Sequence, residues 1–160
     1  MKKIKIESEF EAYDDLKDLP QDIQDLMHAA FEARDAAYAP YSKFHVGAAI
    51  QLENGIVVKG SNQENAAYPS GLCAERTAIY YAGANYTDQK INAIAISAKA
   101  QNKETLTPIA PCGACRQAIA EYEVKQGQSI AIYFMGERGS VFKSDSLSNL
   151  LPFIFTQEYL

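Results

Sequence analysis

A single layered α/β domain with a mixed sheet is the fold this sequence predicts, on three observations. Apolar, β-branched runs alternate along the chain with stretches of helical periodicity. At 160 residues the chain can bury roughly 70% of its unfolded surface around one core without staples. Its content, 48% apolar and 22% charged, is that of an ordinary globular protein, and no repeat, linker or low-complexity segment divides it.

The elements follow in order. In residues 1–19, Ile4, Ile6 and Phe10 alternate with charged residues, which allows a short strand or an arm lying on a neighbouring molecule. Pro20 opens a helix to about Tyr38, with Ile23, Leu26, Met27, Ala30, Phe31 and Arg34 at helical spacing. Pro40 ends it, because proline disfavours helical geometry in the residue before it. His45 to Leu52 reads as a strand, Asn54-Gly55 as a two-residue hairpin turn, and Ile56 to Gly60 as the returning strand. A polar loop, Ser61 to Gly71, leads into a helix from Cys73 to Ala84. Ile91 to Ala98 has the apolar, β-branched make-up of a buried strand, and Pro111 opens a second helix from Cys112 to about Lys125. Ser129 to Met135 is a strand, Gly136 to Lys143 a turn and short strand, and Ser146 to Pro152 a last short helix.

All three cysteines lie in two short motifs, Cys73-Ala74-Glu75 and Pro111-Cys112-Gly113-Ala114-Cys115. Zinc takes thiolates at such spacings, and a catalytic zinc uses three protein ligands with the fourth position left for water. The alternative, three buried apolar cysteines, does not account for their clustering in a Pro-Cys-x-x-Cys and a Cys-x-Glu. A four-cysteine site is excluded by count. A three-cysteine, one-histidine site would need His28 or His45, which have no motif around them and are read as structural.

Both motifs open predicted helices, where free N–H groups and partial positive charge stabilise thiolates. Cys112 and Cys115, three apart, share one face of a first turn. Three thiolates leave a zinc dication with net negative charge, and Arg76 is the candidate to offset it by donating to sulfur; otherwise it is a surface arginine. Glu75 as a fourth ligand would close the position water needs. It reads instead as a proton carrier, or as an ordinary glutamate at a helix start. Asn62 and Glu64, in the polar loop, suit a sugar diol, or simply a solvated loop.

Four segments together resemble the zinc-dependent cytidine deaminases of the small homotetrameric type: Tyr41-Ser42-Lys43-Phe44-His45-Val46-Gly47-Ala48-Ala49, Asn62-Gln63-Glu64-Asn65-Ala66-Ala67-Tyr68, Cys73-Ala74-Glu75-Arg76 and Pro111-Cys112-Gly113-Ala114-Cys115-Arg116-Gln117. The similarity runs from about residue 20 to 156. It implies a three-layer α/β/α sandwich around a five-stranded mixed sheet, with residues 1–19 an N-terminal extension and 20–160 one deaminase domain. It implies one zinc ion per chain on Cys73, Cys112 and Cys115. The implied activity is hydrolytic deamination of cytidine and deoxycytidine to uridine and deoxyuridine, with release of ammonia, in pyrimidine salvage. In that chemistry a zinc-activated water attacks C4 while Glu75 carries protons to N3 and then to the leaving amine.

By the same resemblance Asn62 and Glu64 hold the ribose 3′-hydroxyl, Phe44 stacks on the base and Ala74 contacts the substrate. Glu64 also disfavours a 5′-phosphate. Arg76 sits beside the thiolates, Tyr68 at the subunit boundary, and Phe155 (or Phe153) reaches a neighbouring subunit's site. A homotetramer with shared sites follows, and the helix after Cys73, with Ala78, Tyr80, Tyr81, Ala82 and Gly83, suits packing against symmetry mates. Two other readings are a deaminase of another cytosine nucleoside, of the blasticidin type, and a non-catalytic zinc-binding protein. The match at Arg76 speaks against the first, and Glu75 with an open zinc position against the second.

The net charge of −5 and the scatter of the 15 basic residues argue against nucleic-acid binding, which needs clustered Lys and Arg. Deaminases that edit nucleic acids usually carry His-x-Glu where this chain has Cys73-x-Glu75. No apolar run of signal-peptide or membrane-spanning length is present, so no membrane partner is expected. With cysteines arranged for metal, the expected location is a reducing cytoplasm.

Overall fold

The computed structural model describes residues 1–160. Strand β1 (Glu11–Tyr13) precedes α1 (Gln21–Asp35), the hairpin β2 (Phe44–Leu52) and β3 (Val57–Ser61), α2 (Ala74–Asn85) and β4 (Ile91–Ala100). Then come α3 (Gly113–Gln126), β5 (Ala131–Met135) and β6 (Val141–Ser144). The sheet runs β1-β6-β5-β4-β2-β3. Only β4 and β5 pair in parallel, the crossover between them being α3.

Side chains that alternate along each strand assign the two faces. One face (Ala49, Ala93, Ala95, Tyr133 and Met135) packs on Ile23, Leu26, Met27 and Ala30 of α1. The other (Ala48, Ile50, Ile94, Ile96 and Ile132) packs on Ala78, Ile79 and Ala82 of α2 and Ile119 and Ala120 of α3. This is the three-layer sandwich. Small residues at two crossings bring helix and sheet into backbone contact. A Cβ on Gly47 would lie 2.0 Å from the Ala30 carbonyl oxygen, and one on Gly60 2.6 Å from that of Ala74. The second crossing seats the first turn of α2, which carries Cys73 and Glu75, on β3.

The sheet has six strands, not five. The extra one is β1, in the 1–19 extension, pairing antiparallel with β6 from Glu11↔Lys143 to Tyr13↔Val141. A salt bridge from Lys143 Nζ to Glu11 at 2.7 Å and an edge-on contact of Phe10 with Phe134 hold it there. The first helix stops at Asp35, short of Tyr38, because the Tyr38 N–H is taken by the Asn62 carbonyl and the chain turns toward the polar loop. The short helix expected at Ser146 to Pro152 is a single 3₁₀ turn, Leu147–Asn149, capped by the Ser146 hydroxyl. No helix is long and apolar enough to cross a membrane.

Candidate metal centre and active site

Cys73 is the N-cap of α2 and Cys112 the N-cap of α3, both in extended backbone geometry, and neither side chain is used in capping. Cys115 lies in the first turn of α3 and is fully buried. The sulfurs of Cys73 and Cys112 are 3.9 Å apart, those of Cys112 and Cys115 3.5 Å, and all three lie within 4.8 Å of one another. A tetrahedral zinc with 2.3 Å bonds to sulfur sets its ligand sulfurs about 3.8 Å apart. The three thiols, none in a disulfide, therefore fit the ion in both spacing and donor chemistry. His28 and His45 are outside this cluster: His28 lies edge-on to Phe31 and His45 pairs with Lys99 across the sheet.

Arg76 donates from Nη2 to Cys73 Sγ at 3.6 Å, and its buried Nε has no partner. The Cys73 thiol is lowered to about 5, first by the neighbouring Cys115 and then, against the effect of burial, by the hydrogen bond from Arg76. The neighbouring Cys73 and its own burial push the Cys115 thiol the other way. Glu75 is only 6% exposed, and burial, reinforced by the Cys73 charge, raises its carboxyl above the usual carboxylate range.

In front of Cys73 and Arg76 opens a cavity of about 690 Å³, bounded also by Tyr41, Ser42, Asn62, Glu64 and Tyr68. A smaller cavity of about 230 Å³ lies at the far ends of α2 and α3, beside Tyr86 and Tyr122 and away from the thiols. Asn62 spans the start of β2: its Oδ1 accepts from Val46 N–H at 2.8 Å and its Nδ2 donates to the Phe44 carbonyl at 2.9 Å. Glu64 accepts through Oε2 from the backbone N–H groups of Tyr41 (2.8 Å) and Ser42 (3.2 Å). Hydrogen bonds from Ser42 foremost, with Tyr41, hold its carboxyl below the usual range.

Phe44 is half-buried as the first residue of β2, and Ala74, the first residue of α2, is fully buried in the core. Tyr68 (91% exposed), Phe153 (84%) and Phe155 (57%) stand out from the surface, with Phe155 stacked on Tyr159.

Two features escaped the sequence reading. Lys43, ahead of Phe44, adopts a left-handed φ of 57°, which no local residue preference announces. Arg116 donates to the Pro111 carbonyl and to the Leu150 carbonyl, each at 2.7 Å, tying the metal loop to the C-terminal segment. Its place directly after Cys115 was the available signal.

Residues 20–130 match the family described as the cytidine and deoxycytidylate deaminase zinc-binding region, a span that includes both cysteine motifs. The cytidine deaminase of Halalkalibacterium halodurans is 40% identical over 137 residues, covering 86% of this chain and 96% of that protein. That of Sporosarcina psychrophila is 39% identical over 139 residues, covering 87% and 95%. The fold is similar to the crystal structure of cytidine deaminase from Burkholderia pseudomallei, with TM-score 0.70 and 40% identity over 82% of this chain and 97% of that one. It is also similar to that from Mycobacterium tuberculosis, with TM-score 0.64 and 32% identity over 86% and 99%. Thiols converging for a metal, a shared fold and a match over nearly the full length of these proteins lead to one conclusion: this chain belongs to the zinc-binding cytidine and deoxycytidylate deaminase family.

Proposed function

We propose that this chain hydrolyses cytidine and deoxycytidine to uridine and deoxyuridine, releasing ammonia, as a step of pyrimidine salvage. The observation that carries the reading is a buried Glu75 two residues from Cys73, with Cys73 also bounding the large cavity. Cys73, Cys112 and Cys115 hold one zinc ion per chain. Zinc bound there supplies a Lewis acid that makes water nucleophilic near neutral pH.

The chain's own residues do the rest. Water adds its oxygen to C4 and the bond from C4 to the exocyclic nitrogen breaks. Of the two water protons, one ends on N3 of the product and the other on the departing ammonia. Glu75 is the carrier of both, and its raised affinity for a proton suits it to release one as well as take one. Arg76, donating to the Cys73 sulfur, withdraws charge from the thiolates.

Asn62 and Glu64 bind the sugar, with Glu64 Oε1 left for a hydroxyl because its hydrogen bonds run through Oε2, and the same charge disfavours a 5′-phosphate. Phe44 faces the base and Ala74 backs the site. Tyr68 lies at a subunit boundary, and Phe155 or Phe153 closes the site of a neighbour. Exposed rings of this size support assembly, since they mark surface that an isolated chain leaves uncovered. The working form is a cytoplasmic homotetramer with shared sites and no nucleic-acid or membrane partner.

Loss of ultraviolet absorbance on adding cytidine, measured beside zinc content, tests the reading. One zinc per chain with rapid turnover is expected, and Glu75→Ala keeps the zinc but loses turnover at least about 100-fold. A zinc-loaded parent that leaves cytidine untouched would overturn it. Preference for another cytosine nucleoside in the same assay would narrow it to that substrate.

A further inference from the structure

The chain ahead of β1 takes no part in this chemistry and lies outside the family region at residues 20–130. Met1–Ser8 are exposed throughout, with Ile4 76% and Ile6 48% accessible. The first backbone tie to the body is the Glu9 N–H to Asn149 Oδ1 contact at 3.4 Å. From there the chain is fastened, by Phe10 against Phe134, by the pairing of β1 with β6 and by the Glu11–Lys143 salt bridge. The segment is thus a free arm on a fixed root.

Its composition is not that of an idle tail. In an extended strand Ile4 and Ile6 share one side and Lys3 and Lys5 the other. Residues 1–8 contain three of the fifteen basic residues and one acidic, Glu7, which pairs with Lys5, leaving twelve basic against nineteen acidic in the rest. The excess is dense just beyond β1, where Asp14, Asp15, Asp18, Asp22 and Asp25 face Lys17 alone. The arm offers the apolar surface of Ile4 and Ile6 and the positive charge of Lys2 and Lys3, and its own body leaves both uncovered, while Lys5 is paired with Glu7.

We propose that residues 1–8 dock on a second copy of this chain, which covers Ile4 and Ile6 and sets its carboxylates against Lys2 and Lys3. The inference rests on the assembly reading above. A second copy offers both counterparts at once, carboxylates for Lys2 and Lys3 and exposed apolar side chains such as Phe153 and Phe155 for Ile4 and Ile6.

Carbodiimide joins amines to carboxylates without a spacer. With the zinc-loaded full chain it gives covalent dimers whose joined peptides contain Lys2 or Lys3. Deleting residues 1–8 abolishes those dimers and weakens association roughly tenfold or more, the scale of uncovering a large apolar side chain. The pair Ile4→Asp and Ile6→Asp in the full chain does the same, and both positions are exposed, so the fold is retained. Arm links found only within single chains, with association unchanged by the deletion, overturn the proposal and leave the assembly reading intact. Arm-dependent binding to phosphatidylserine vesicles in place of the dimers overturns it as well. A chain that sediments as a monomer at every concentration overturns both.

Discussion

Asn62 and Glu64 have similar proposed tasks, yet the chain holds them differently. The Asn62 amide bridges two backbone groups of β2 and is part of the scaffold that presents Phe44. Asn62→Ala removes both bonds, so a stability loss of about 2 kcal/mol is expected in denaturant titration, alongside a raised KM for cytidine. Glu64→Gln keeps an oxygen for the Tyr41 and Ser42 N–H groups, so its melting temperature should stay near that of the parent. What it loses is the charge offered to the sugar, and a KM for nucleosides about tenfold higher is expected, or ~1.4 kcal/mol of binding. Equal effects of the two variants on KM and melting temperature would contradict this division.

At the scale of elements, the two glycine crossings have different consequences. Gly60 lies beneath the first turn of α2, and an added Cβ would meet the Ala78 nitrogen at 2.5 Å and the Ala74 carbonyl at 2.6 Å. Backbone cannot move aside as a flexible side chain can, so Gly60→Ala lifts the helix that carries Cys73. About 2 kcal/mol or more of stability is lost, together with zinc affinity, read by competition with a chelating dye. Gly47→Ala meets Ala30 and Arg34 of α1 on the opposite face. It should destabilise at least as much while zinc affinity in the folded fraction stays close to that of the parent. Equal zinc loss in both variants would argue that the α2 seat does not position the thiol.

At the scale of the molecule, the metal cluster exists only when α2 and α3 start side by side. Zinc binds the folded chain far better than the unfolded one, so its removal by a chelator should lower the melting temperature, and re-addition should restore it. Assembly is tested by dilution. If Phe155 or Phe153 closes a neighbour's site, a chain diluted to monomer keeps its zinc but loses most of its turnover, checked by sedimentation beside the cytidine assay. A fully active monomer would remove the shared site while leaving the metal centre untouched.

Most of the elements were legible because the signals that mark them are local. Ile91–Ala100, the Asn54-Gly55 hairpin and the helix after Pro111 are written in period, turn chemistry and proline position over a few neighbouring residues. The metal set was legible for the same reason: Cys112 and Cys115 need only helical spacing to share a face. What joins Cys73 to Cys112, 39 positions away, is tertiary. So are the sixth strand, held by a salt bridge between Glu11 and Lys143, and the Asn62 bridge across β2. Such pairings depend on which elements the core brings into register. Three residues as short and polar-flanked as Glu11-Ala12-Tyr13 carry no periodic signal strong enough to announce a partner 130 residues away. Sequence alone therefore determined the order of strands and helices and which residues suit a metal. Only the folded chain decided where that metal set converges, because convergence is a property of packed layers and not of neighbouring residues.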